Sequence, residues 1–113
     1  MRYALLICQD ESVASTSEEE TARLAAYGAF VEQMGARGVL RGGERLRPTA
    51  SATTVRVRHG DVVIADGPFA ETKEQIGGFF IVDCADIDEA IEVASKIPSA
   101  LNGTIEVRPL WEM

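Results

Sequence analysis

Four ionisable side chains crowd around a turn in Asp66-Gly67-Pro68-Phe69-Ala70-Glu71-Thr72-Lys73-Glu74, immediately before the apolar run of residues 76–84. Carboxylates beside a cation in a loop can do proton-transfer chemistry. Asp66 or Glu71 would accept a proton and Lys73 would steady the anion that forms, as in proton abstraction at a carbon acid or an elimination. The same residues also have a structural meaning. An aspartate accepts hydrogen bonds from backbone N–H groups two residues on, Gly67 admits unusual dihedrals, and Pro68 stiffens the chain before Phe69. Residues 66–69 are thus equally a locked loop with Asp66 as its cap. Asp66 and Glu71 are the catalytic candidates, and Glu71 and Lys73 the binding candidates.

Elsewhere the chemistry is sparse. Tyr27 is a third binding candidate, although it lies on an apolar helical stripe where a core tyrosine with a satisfied hydroxyl is the plainer reading. The single histidine, His59, precedes Gly60 in a turn where exposure is expected and burial against a partner acid is not, so no Ser-His-acid or Cys-His arrangement can be assembled. Cys8 and Cys84 have no C-x-x-C spacing and read as small thiols in a reducing compartment, with no metal site between them. They should not form a disulfide, because each ends a strand and antiparallel pairing puts those ends about 20 Å apart. Gly77-Gly78 lacks the Gly-x-x-x-x-Gly-Lys spacing of a phosphate loop. No cofactor is expected.

The elements that must position these residues follow from periodicity. Residues 2–8 are a continuous apolar run, too short for a helix and suited to a strand covered on both faces. Ser17-Glu18-Glu19-Glu20 reads as a capping box with Ser17 as N-cap, opening a helix whose stripe is Leu24, Tyr27, Phe30, Val31 and Met34. Gly35 and Gly38 stop it. Val39 to Leu46 is a strand in which Gly42-Gly43 indicates a bulge or a close backbone approach. Thr53 to Arg58 and Asp61 to Ala65 form a hairpin turning at His59-Gly60. A second fully apolar strand spans 76–84. Asp86 opens a second helix with Ile87, Ala90, Ile91, Ala94 and Ile97 inward, ended by Pro98, and Thr104 to Trp111 is a last strand whose Pro109 indicates an edge.

The order is β-α-β, an inserted hairpin, then β-α-β: an α+β, ferredoxin-like pattern in one domain over residues 1–113. Two helices cover one face of such a sheet, whereas residues 4–8 and 79–82 are apolar at consecutive positions. A second subunit is the simplest cover.

The nine-residue run resembles the signature of the DGPF group within the YCII-related family. Tyr3 to Ile7, Gly42-Gly43-Glu44, Thr54-Val55-Arg56, Gly77-Gly78-Phe79-Phe80 and Glu106 to Pro109 resemble family positions in the same order. The resemblance implies a ferredoxin-like fold pairing sheet against sheet as a dimeric α/β barrel, in a group often encoded beside extracytoplasmic-function sigma factors. It also implies a histidine on the first helix and an Asp-Pro step after the second, an acid-base pair. This chain departs at both places, with Tyr27 and with Ile97-Pro98.

Charge bears on partners. Acidic residues outnumber basic ones 18 to 11, for a net charge of −7, so nucleic acid is not expected. Arg41, Arg45, Arg47, Arg56 and Arg58 concentrate in the middle third, as solvated faces and ion-pair partners or as an anion site. No apolar run approaches the roughly 18 residues of a membrane span, and Gln9-Asp10-Glu11 interrupts the N-terminal run before a signal sequence could form. A cytoplasmic homodimer is expected, with a small anionic or polar ligand or a protein partner. The favoured reading is a non-catalytic binding or regulatory module. The alternatives are a lyase or proton-transfer enzyme whose cleft is lined by residues 66–73, and a purely structural dimer.

Overall fold

The computed structural model describes residues 1–112. Within them, six strands and two helices follow in the order β1 (Arg2–Gln9), α1 (Ser17–Ala36), β2 (Leu40–Arg45), β3 (Thr53–Arg58), β4 (Asp61–Asp66), β5 (Gln75–Asp83), α2 (Ile87–Ser95) and β6 (Thr104–Pro109). Strands β2-β5-β1-β6 make one antiparallel sheet in that order, and β3 and β4 make a separate two-stranded ribbon. This α+β topology is consistent with the ferredoxin-like pattern, with the ribbon inserted between β2 and β5. Both glycine inferences for β2 hold: the register shifts between Leu40 and Gly42, and Gly43 is closely approached. No helix among the described residues is long and apolar enough to cross a membrane.

Pairing decides which side chains meet the helices. Leu5 lies opposite Phe80 and Val107, Tyr3 opposite Val82, and Ile7 opposite Gly78 and Ile105. With two-residue alternation these positions share one face, and Tyr3, Leu5, Ile7, Phe80 and Val82 are buried there beneath Phe30, Met34, Ala90, Val93, Ala94 and Ile97. Each large side chain in that layer contributes roughly 1.5–3 kcal/mol by leaving water. Ala4, Leu6, Cys8, Phe79 and Ile81 point the other way and are half-buried. Pro109 sits in β6, an edge strand, as its missing N–H requires, and the strand ends there instead of reaching Trp111.

Helix positions differ from the expectation in three ways. Thr16 is the N-cap of α1, not Ser17: its Oγ1 accepts from Glu19 N at 3.1 Å and donates to Glu19 Oε1 at 3.1 Å. Thr16 and Ser17 each have a glutamate three residues on, so spacing cannot choose between them. The inward stripe of α1 is Tyr27-Phe30-Met34, leaving Leu24 and Val31 exposed, and in α2 it is Ala90-Val93-Ala94, continued by Ile97 just beyond the helix, leaving Ile87 and Ile91 exposed. Each helix crosses the sheet on a narrow line, so apolar side chains one position off that line find no sheet beneath them. Pro98, finally, does not simply stop α2; the helix closes at Ser95 and Pro98 opens a 3-10 turn, Pro98–Leu101. Arg37 ties the two helices together through both oxygens of Glu92, at 2.8 and 3.1 Å.

Candidate functional site

Where the first half of α1 passes over the corner shared by β1, β5 and β2, the core runs out of side chains. The sheet positions facing the helix there are Ile7, Gly78, Gly43 and Arg45, and the helix presents Glu20, Arg23, Leu24 and Tyr27 one turn after another. Two glycines below and a stripe turning polar above leave a cavity of about 290 Å³. Ile7, Leu24, Tyr27 and Phe80 supply its apolar walls. Gly43 is required for this arrangement: a Cβ there would lie 2.5 Å from Phe80 Cδ1 and 2.7 Å from Phe79 O. The Phe80 ring is laid across it, with Phe30 at 5.0 Å and Tyr27 at 6.4 Å between ring centroids.

The inner end of the cavity is a small polar network. Ser99, only 1% exposed, is brought beneath α1 by the 3-10 turn that Pro98 opens. Its Oγ lies 2.6 Å from the Tyr27 hydroxyl and accepts from Gln9 Nε2 at 2.5 Å. The amide nitrogen of Gln9 is a donor only, whereas between Ser99 and Tyr27 either hydroxyl can donate, because the Ser99 oxygen has a second lone pair. The Tyr27 hydroxyl can therefore donate to Ser99 or turn its proton to a molecule in the cavity.

Charged groups ring the mouth. Glu20 accepts from Ser15 Oγ at 2.6 Å and pairs with Arg23 at 3.4 Å. The Ser15 bond, with smaller contributions from Arg23 and Arg45, holds its carboxyl below the ordinary glutamate value. Arg45 makes no ion pair within 4 Å among the described residues. A second hollow of about 290 Å³ adjoins the first, sharing Gln9, Arg45 and Gly77 and continuing to Arg47 and Pro48. Its outer wall is held by Glu11, whose carboxylate accepts from Thr49 N and Oγ1, each at 2.7 Å.

Of the binding candidates, Tyr27 lies in this site. Glu71 and Lys73 do not. Both are exposed, and with Asp66 they lie outside both hollows of the single chain. The loop is fixed from elsewhere: Gly67, at φ +92°, donates its N–H to Ala52 O at 2.8 Å and its carbonyl accepts from Thr54 Oγ1 at 2.6 Å. Gln75 Nε2 bonds the carbonyls of Ala70 and Thr72. Asp66 makes no side-chain hydrogen bond among the described residues, so the N–H cap expected of it is not formed there, and the loop is held instead by the Thr54 hydroxyl donating to Gly67 O. Phe69 stays exposed, with the Arg56 guanidinium 4.9 Å from its ring centroid. Cys8 and Cys84 are free. Burial pushes both thiols above the ordinary value.

Sequence reasoning missed Gln9, Arg23 and Ser99 as site residues and had Arg45 only as one of a cluster. The available signal was the glycine pattern: Gly43 and Gly78 interrupt two apolar strands at paired positions, and missing side chains in a core imply space.

The YCII-related domain family matches residues 1–113. An uncharacterised protein of Rhizobium meliloti (strain 1021) is 44% identical over 118 aligned positions, covering 97% of this chain and 92% of the relative. On these matches the chain belongs to the YCII-related family.

Proposed function

We propose that this protein is a homodimeric small-molecule-binding module of the DGPF group, with the ligand held in the cavity between α1 and the β1-β5-β2 corner. One observation carries the reading: an open cavity of about 290 Å³ whose inner end presents the Tyr27 hydroxyl, held by Ser99, which Gln9 holds in turn. The volume is at the small end of ligand pockets, which run from about 300 to 1,000 Å³, and apolar walls with a few convergent polar groups are their usual composition. Where the resemblance implies a histidine and an Asp-Pro step, this chain has Tyr27 and Ile97-Pro98. The imidazole–carboxylate pair on which proton transfer would rest is thus absent, which supports binding over turnover.

The dimeric α/β barrel belongs to the same proposal. Val55 pairs with Ile64 and Val57 with Val62, so the β3-β4 ribbon has one face that is apolar along these two pairs, and all four side chains are 59–65% exposed. A two-stranded ribbon is marginal alone. The half-buried face of the sheet, Ala4, Leu6, Phe79 and Ile81, is the apolar surface a second copy has to offer. Occupancy of the cavity would then be read out at a protein contact made by an acidic, cytoplasmic dimer, with sigma-factor-linked regulation as its setting. The test is a thermal-shift screen of small polar metabolites on the parent protein and on Leu24→Trp, which fills the cavity from an exposed position. Stabilisation of the parent alone is the expected result. Equal stabilisation of both proteins, or of neither, refutes the assignment of the cavity.

A further inference from the structure

We propose that the ligand is a small monocarboxylate with a flat or branched apolar body, its carboxylate received by the Arg45 guanidinium and the Tyr27 hydroxyl; this rests on the binding reading above. The cavity holds a cation without a counter-ion and, at its inner end, a hydroxyl able to donate. The Tyr27 hydroxyl, 2.6 Å from Ser99 Oγ, carries a proton that it can give to Ser99 or to a ligand. Arg45 lines the cavity with a guanidinium that has no anionic partner within 4 Å among the described residues. The one carboxylate facing this space, Glu20, already accepts from Ser15 and Arg23. Glu44 pairs with Phe79 on the sheet's opposite face, so it meets the cavity through its backbone. Gln9 Oε1 and Glu20 Oε2 remain as acceptors for a ligand's donors, but the charge without a counter-ion is that of Arg45, so an oxyanion finds a planar cation and a hydroxyl able to donate, suited to two-point recognition.

Charge sets the valence. Glu20 cancels Arg23, which leaves the single positive charge of Arg45, enough to neutralise a monoanion. A dianion such as phosphate would meet Glu20 with an uncompensated charge. Size and walls set the body: Ile7, Leu24 and Phe80 offer apolar surface on the scale of a phenyl or branched alkyl group.

The test is isothermal titration of the full-length protein at pH 7 with benzoate, phenylacetate and isobutyrate, each beside its neutral amide, and with inorganic phosphate. The acids should bind at least about tenfold more tightly than their amides. Arg45→Gln should erase that preference, and Tyr27→Phe should weaken acids more than amides. Arg45 makes no interaction on which folding depends, and a melt of each variant checks this. Acids and amides binding equally, both blocked by Leu24→Trp, would overturn the carboxylate while sparing the cavity. Phosphate outbinding every acid would overturn it in favour of an inorganic anion. No binding by any probe, or binding that Leu24→Trp leaves intact, would overturn both the carboxylate and the cavity.

Discussion

Gly43 shows how much one missing methyl group organises here. The Phe80 ring occupies the space a Cβ would need, at 2.5 Å, and backbone at 2.7 Å blocks the other escape. Gly43→Ala should therefore cost about 1–3 kcal/mol through overpacking, read as a lowered denaturation midpoint at unchanged slope. The signature loop gives the opposite contrast. Asp66→Ala, at an exposed side chain without a hydrogen bond, should change stability by less than about 0.5 kcal/mol, while Thr54→Val removes the bond to Gly67 O and should cost about 1 kcal/mol. A large loss in Asp66→Ala would return the cap to that residue. The sequence made Asp66 conspicuous and Thr54 anonymous, because the hydroxyl's partner lies 13 positions away and is brought near only by the ribbon. Ser99 was illegible for the same reason. Tyr27 could be named because helical spacing alone places it on the inward stripe.

Local rules that depend on a few neighbouring residues transferred well to the elements. The His59-Gly60 turn has both residues at positive φ, 53° and 83°, which is what a two-residue hairpin demands, and strand order followed from the β-α-β pattern. Capping was legible to within one residue, and the choice is testable: Thr16→Ala should cost about 0.5–2 kcal/mol while Ser17→Ala stays within about 0.5 kcal/mol. Equal effects on thermal stability would mean that the cap is shared. Between elements, the Arg37–Glu92 pair joins the C-terminal end of α1 to α2, and the hydrogen bond from Arg37 holds the Glu92 carboxyl below its ordinary value of 4.5. Arg2 does the same to Glu112, and Ser15 to Glu20. A depressed folded-state value means stability that is fully present above pH 4.5 and is lost as pH falls through the lower folded values. Melting temperature should thus be flat down to about pH 5 and fall below it. These groups are exposed and screened, so Arg37→Gln should flatten the acid limb only slightly; an unchanged acid limb would mean that the ion pair does not persist in solution.

At the scale of the whole chain, shape carries the argument. The Cα radius of gyration is 16.0 Å, and the extents are 47 × 43 × 18 Å, against about 13 Å expected for the radius of a compact chain near this length. A flat sheet with a projecting apolar ribbon accounts for the excess. All of β4 and all of β3 except Thr54 are exposed, so within one chain the ribbon's apolar face has no cover. In a dimer that face would be buried, and the interface should exceed roughly 1,000 Å². Three measurements then have to agree. Sedimentation at micromolar concentration should give twice the 12.2 kDa chain mass; melting temperature should rise with protein concentration, because association favours the folded chain; and amide hydrogens of β3 and β4 should exchange slowly, as for a covered ribbon and not a free one. Val57→Glu with Ile64→Glu places two charges on the apolar face and should yield monomers that stay folded, since the main core lies wholly under the helices. A parent protein sedimenting at the chain mass with fast exchange in 53–66 would leave the ribbon as a free arm and end the dimer proposal.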